Sequence, residues 1–185
     1  MDVIIPREKE KNMLKIKKII TGELDENCYI VEKNNACLVV DPGSDFEKIK
    51  AKIEYPVLGV LITHRHPDHI GALEDFLNNY KCQIFEYIST TEESYKLGDF
   101  SFNVINTPGH TKDSICFYFY EDKVLFSGDF IFEGTIGRTD LGGSDDDMKR
   151  SLNKIKKYPK EIVIYPGHGD KTTLEKELDD NPFLC

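Results

Sequence analysis

Thr63-His64-Arg65-His66-Pro67-Asp68-His69 is the stretch that decides how this chain is read. It follows Val57 to Ile62, a nearly continuous apolar run of the kind found in strands covered on both faces. At the end of such an extended segment, side chains two apart point the same way, so His64 and His66 can reach one metal ion. Pro67 then breaks the strand. Asp68 and His69, adjacent in a turn entering a helix, cannot easily share that direction, and a second ion beside the first is the economical use of them. Imidazole and carboxylate suit zinc and also iron or manganese.

Outward from this stretch, the remaining histidines lie in Thr107-Pro108-Gly109-His110 and Tyr165-Pro166-Gly167-His168, and these three segments hold all five histidines of the chain. None of the three contains a cysteine. Each follows the end of a predicted strand, where loops gather functional side chains at one rim of a sheet. A lone histidine after Pro-Gly is ordinarily a surface or capping residue; the convergence of five is what points to a catalytic ligand set. Asp129, in Phe126-Ser127-Gly128-Asp129, stands at another predicted strand end, although Gly-Asp is equally an ordinary turn signal. So many candidate ligands exceed what a closed structural zinc site needs.

The elements around these segments are expected in mixed order. Leu14 to Ile20, Cys28 to Val31 and Ala36 to Val40 read as an opening antiparallel set of strands. Ser44-Asp45-Phe46-Glu47 has the spacing of a capping box and predicts a helix over 45–54, ended by Pro56. Ile70, Leu73, Phe76 and Leu77 continue one helix from Pro67, and Gln83 to Ile88, Ser101 to Ile105, Ile115 to Tyr120 and Lys123 to Phe126 read as strands. Ser144 caps a helix carrying Met148, Leu152 and Ile155, with acidic residues where the helix dipole favours them. A last strand, Glu161 to Tyr165, precedes a short helix capped at Thr172-Thr173 and ending near Asn181-Pro182.

At 185 residues the chain can bury one substantial core, so 13–185 is read as a single α/β domain behind an N-terminal extension, 1–12, expected to be flexible. No apolar run approaches the ~18 residues of a membrane span. Met1 to Asn12 lacks the basic, apolar, small-residue order of a secretory signal, which points to the cytoplasm. A net charge of −9 argues against a general electrostatic grip on nucleic acid or anionic lipid. The five cysteines, Cys28, Cys37, Cys82, Cys116 and Cys185, are widely spaced and form no Cys-x-x-Cys pair, so free thiols are expected.

Thr63 to His69 matches in full the T-H-x-H-x-D-H signature of the metallo-β-lactamase superfamily, which the chain also resembles in P-G-H-T at His110, S-G-D at Asp129, Y-P-G-H-G at His168 and V-D-P-G at Asp41. The resemblance implies a four-layer αββα sandwich. It also implies one metal held by His64, His66 and His110, a second by Asp68, His69 and His168, Asp129 bridging them, and Asp41 supporting the ligands from behind. Ile136-Gly137-Arg138-Thr139-Asp140 and Asn181-Pro182-Phe183 resemble short relatives of glyoxalase II, the thioesterases that hydrolyse S-D-lactoylglutathione. The implied activity is hydrolysis of a small-molecule acyl thioester by a hydroxide held between two divalent ions, zinc by expectation, with Asp68 orienting it. The C-terminal helical domain with which full-length glyoxalase II grips glutathione has no counterpart in this sequence, so broad activity on small acyl thioesters is expected. Arg138 is either an anion contact or the partner of Asp140. The alternative reading is a persulfide dioxygenase of the same superfamily, with a single iron at His64, His110 and Asp129.

Overall fold

In the computed structural model, residues 13–185 are described; the extension expected over 1–12 lies outside them. The chain opens with β1 (Lys15–Thr21), β2 (Glu26–Lys33), β3 (Ala36–Val40), α1 (Phe46–Lys50), β4 (Val57–Leu61), α2 (Pro67–Ile70), α3 (Leu73–Asn79) and β5 (Gln83–Phe85). It continues through β6 (Ser94–Leu97), β7 (Phe100–Asn106), β8 (Ile115–Phe119), β9 (Val124–Gly128) and the hairpin β10 (Ile131–Phe132) and β11 (Thr135–Ile136). It closes with α4 (Asp145–Ile155), β12 (Val163–Pro166), β13 (Thr172–Thr173) and α5 (Leu174–Asp180).

Two sheets result, ordered β1-β2-β3-β4-β5 and β13-β12-β9-β8-β7-β6. The first opens antiparallel, as the apolar strings predicted, and turns parallel where β4 lies between β3 and β5. In the second, only β12 against β9 is parallel.

Period-two alternation makes the layers. Tyr29, Val31, Leu38 and Val40 meet Phe102, Val104, Phe117, Phe119 and Phe126 between the sheets. Their neighbours Cys28, Ile30, Cys37 and Val39 face the other way, onto Ile49, Leu73 and Phe76 of α1 and α3. On the second sheet, Cys116, Tyr118 and Leu125 face Met148, Leu152 and Leu174 of α4 and α5. Helices therefore cover both outer faces of a sheet pair, the expected αββα sandwich. Phe102 is fully buried, with Phe85, Phe117 and Phe119 rings 5.3, 5.8 and 5.3 Å away. Phe102→Ala is expected to cost about 3–5 kcal/mol, read as a lower denaturant midpoint at unchanged slope.

Several local expectations are corrected. The capping box at Ser44 does not form: Asp45 is the N-cap, left-handed at φ 60° and without a side-chain cap, and α1 is only five residues long. The groups are used elsewhere, Ser44 N donating to Thr21 Oγ1 (3.1 Å) and Asp45 Oδ2 accepting from Gly22 N (3.1 Å). The single helix expected from Pro67 is broken at Gly71-Ala72, because Ala72 N donates to Pro42 O (3.0 Å) and the 42–43 turn lies against Gly71 with no room for a Cβ. The strand expected over 83–88 stops at Phe85, since Glu86 turns to Arg65 and Tyr87–Ser89 form a tight 3-10 turn. Strands β6, β10, β11 and β13 escaped the sequence pattern, each being four residues or fewer. Ser144 does cap α4, accepting from Asp147 N at 3.2 Å.

Candidate metal centre

The loops leaving β4, β7, β9 and β12 carry His64 to His69, His110, Asp129 and His168 to one rim, and all seven candidate residues come together. They form two clusters whose donor atoms lie within 4.8 Å of one another: His64, His66, His110 and Asp129, and Asp68, His69 and His168. Asp129 stands between them. Its Oδ2 is 3.4 Å from His110 Nε2, and its Oδ1 is 3.3 Å from His69 Nε2. Asp68 Oδ2 lies 3.2 Å from His168 Nε2 and 3.6 Å from His69 Nε2.

Four of the five rings are aimed by their far nitrogen. The Thr63 hydroxyl donates to Asp41 Oδ2 (2.6 Å), which leaves its oxygen to accept from His64 Nδ1 (3.1 Å). His69 Nδ1 donates to the same Asp41 oxygen (3.0 Å), His110 Nδ1 to Arg138 O (2.7 Å) and His168 Nδ1 to Leu24 O (3.0 Å). With Nδ1 committed as donor, each of these four rings turns its Nε2 inward. Asp41 thus takes the supporting place that the V-D-P-G resemblance implied.

Bare nitrogens facing each other need a cation. His64 Nε2 and His110 Nε2 converge on His66 Nδ1 at 3.2 and 2.9 Å, and His66 has at most one proton there for two lone pairs. His69 Nε2 and Asp129 Oδ1 are buried without a hydrogen-bond partner among the described residues. Burial pushes the His64 pKa well below the usual range and keeps the ring neutral. At His69 burial opposes the charge, but Asp129 and Asp41 outweigh it and hold the pKa well above its usual value. For Asp129 burial likewise opposes ionisation, and His69 overcomes it, keeping the carboxyl well below the usual range. Five imidazoles and two carboxylates so arranged fit two divalent cations, each displacing protons that the rings would otherwise carry.

Three supporting residues were not read from the sequence. Glu26, fully buried, lies 3.8 Å from His69 Nδ1, forms a third cluster with Asp41 and His69, and has its pKa pushed up by burial and by Asp41 to about 9. Asn27 Nδ2 donates to Pro166 O (3.0 Å) and Gly169 O (2.9 Å), clamping the loop that carries His168. Thr63, quoted only as part of the signature, is the relay to Asp41. Arg138 forms a bidentate pair with Asp140 (2.6 and 2.6 Å), so the internal ion pair is the alternative that the structure contains. The adjoining cavity, about 570 Å³, is lined by Ile136, Met148, Leu152 and Phe183, with Arg138 and Lys149 beside them.

The model of the metallo-beta-lactamase superfamily matches residues 21–96 and 89–168. Among similar proteins is the hydroxyacylglutathione hydrolase GloC of Haemophilus influenzae, 30% identical over 92% of this chain and 98% of its own. The crystal structure of the BLEG-1 B3 metallo-beta-lactamase superposes with a TM-score of 0.87 at 31% identity, covering 92% of this chain and 99% of that one. TTHA1623, crystallised in a di-iron-bound form, gives a TM-score of 0.83 at 30% identity, covering 91% and 100%. With the fold, the rim cluster and the family match in agreement, this chain belongs to the metallo-β-lactamase superfamily.

Proposed function

We propose that the chain hydrolyses acyl thioesters with two divalent cations, His64, His66 and His110 holding one, Asp68, His69 and His168 the other, and Asp129 both. One observation carries this reading: Asp129 stands between the clusters, Oδ1 3.3 Å from His69 Nε2 and Oδ2 3.4 Å from His110 Nε2 and 3.7 Å from His168 Nε2. A single ion would leave Asp68, His69 and His168 gathered for no purpose. When bound, the ions lower the pKa of water from ~15.7 toward ~7, supplying hydroxide, and offer positive charge to the developing oxyanion.

The chain's own residues do the rest. Asp68, with its side chain 21% exposed at the mouth, orients the attacking water. Asp41 and the carbonyls of Arg138 and Leu24 keep the rings in the tautomer that leaves Nε2 free. A thiol of pKa ~8.5 leaves without a general acid, which suits a site whose five histidines are all engaged. The GloC relative, named a hydroxyacylglutathione hydrolase, supports thioester chemistry; the donor set suits zinc, and iron or manganese as well. No helix among the described residues is long and apolar enough to cross a membrane.

The test is a substrate panel on protein loaded with zinc: lactoylglutathione beside short acyl thioesters of other small thiols. Turnover of several is expected, with Michaelis constants that vary more than kcat. No hydrolysis of any of them by a fully loaded protein would reject the thioesterase reading.

A further inference from the structure

The hairpin β10–β11 has two residues in each strand and turns at Glu133 and Gly134. So small a ribbon is marginal by itself. Yet it runs from Asp129 to Arg138, whose carbonyl fixes His110 Nδ1 at 2.7 Å. Gly137, at its exit, lies so close to Asp129 O and the His110 ring that no Cβ would fit. The Phe132 ring stands 6.2 Å from that of His168. A barely self-supporting element thus touches members of both clusters, and something else must hold it still.

The support comes from α5 and the residue after it. Glu177, fully buried, accepts from Gly134 N (2.9 Å), Asn181 Nδ2 (2.8 Å) and Thr172 Oγ1 (2.5 Å). Asn181, also fully buried, spends its other amide proton on Thr135 O (3.0 Å), and its Oδ1 accepts from Phe183 N (3.1 Å). The turn residue Gly134 and the first residue of β11, Thr135, are therefore tied to one carboxylate and one amide, and Lys176 pairs with Glu133 at the surface. Asparagine is the side chain that can donate twice and accept once here; aspartate would turn an acceptor on Glu177 and Thr135 O. The Asn181-Pro182-Phe183 motif, unexplained by the metal ligands, thereby acquires a task.

We infer that Asn181 and Glu177 are positioning residues for His110, bracing the hairpin whose exit carbonyl sets which imidazole nitrogen faces the cluster. Partners of this kind to a ligand ring are worth about 10–100-fold in metal affinity.

The test uses the full-length chain and two readouts. The first is the imidazole nitrogen spectrum of His110 by NMR, which is independent of any metal assignment; the second, zinc affinity by competition with a chromophoric chelator, rests on the metal reading proposed above. In the unaltered chain, His110 should show a slowly exchanging proton on Nδ1. Asn181→Ala should speed that exchange and weaken zinc binding by about tenfold or more. Thr173→Ala is the control: it removes the cap of the same helix, where Thr173 Oγ1 accepts from Lys176 N at 3.3 Å, without touching the hairpin. It should lower the melting temperature while leaving both readouts unchanged. Should Asn181→Ala not fold, Glu177→Gln, which keeps size and one acceptor, is read the same way. If the folded variants differ from the control only in melting temperature, the inference is overturned. A shifted His110 spectrum in a protein that binds no zinc would instead reject the metal reading and leave the brace standing.

Discussion

Asp129→Asn is expected to reduce thioester hydrolysis by about 10²–10³-fold or more while the chain stays folded. The carboxylate addresses both clusters, Oδ1 toward His69 at 3.3 Å and Oδ2 toward His110 at 3.4 Å. An amide keeps the shape but has one acceptor oxygen, so whichever way it turns, an N–H₂ group faces one of the two sets. Folding should tolerate the change, because Asp129 stands on the rim between the clusters and belongs to none of the apolar layers. Circular dichroism and the melting curve check the fold, and steady-state kinetics with a thioester check the loss. His64→Ala should behave alike, since a bare nitrogen is deleted from the rim and not from the apolar layers. Near-normal turnover in both variants would remove the metal centre from the mechanism.

The second large effect is on stoichiometry. Elemental analysis of zinc-reconstituted protein is expected to give two ions per chain, and His168→Ala should bring that toward one with a deep loss of hydrolysis. His168 belongs to the second cluster alone, and its side chain is 28% exposed, so its removal leaves the first cluster and the core in place. The single-iron dioxygenase predicts otherwise. Protein that holds one iron, consumes oxygen with glutathione persulfide and cleaves no thioester would reject the hydrolase while keeping His64, His110 and Asp129 as ligands.

The convergence of the five histidines and Asp68 was legible because each stands in a short segment that ends a strand, and strand ends are written in apolar runs such as Val57 to Ile62, whereas Asp129, in a Gly-Asp that spacing leaves open, was legible only through the family resemblance. The layers were legible for a related reason: β2 and β3 alternate between two buried faces, and their β-branched content declares them. What escaped is non-local. Glu26 and Asn27 lie in what reads as a strand edge, and nothing in their neighbours says that one sits beneath His69 and the other clamps the loop of His168. The capping box at Ser44 failed likewise, because Thr21 and Gly22, more than twenty positions earlier, compete for its groups. Local propensity cannot weigh a partner brought in by the fold. Arg65 shows the same limit: its bidentate contact with Glu86 (2.6 and 2.9 Å) ends β5 early, across a separation no periodicity records.

Each cluster draws on both sheets. His64, His66, Asp68 and His69 follow β4 of the first, whereas His110, Asp129 and His168 follow β7, β9 and β12 of the second. Neither half of the chain presents a complete donor set by itself. During synthesis the N-terminal half emerges carrying four of the donors and nothing to close them, so tight ion capture has to wait until the C-terminal strands have docked. Ions held as proposed would then be taken up late and would tie the two sheets across their seam, and their removal is expected to loosen the two halves against each other before it unravels either one.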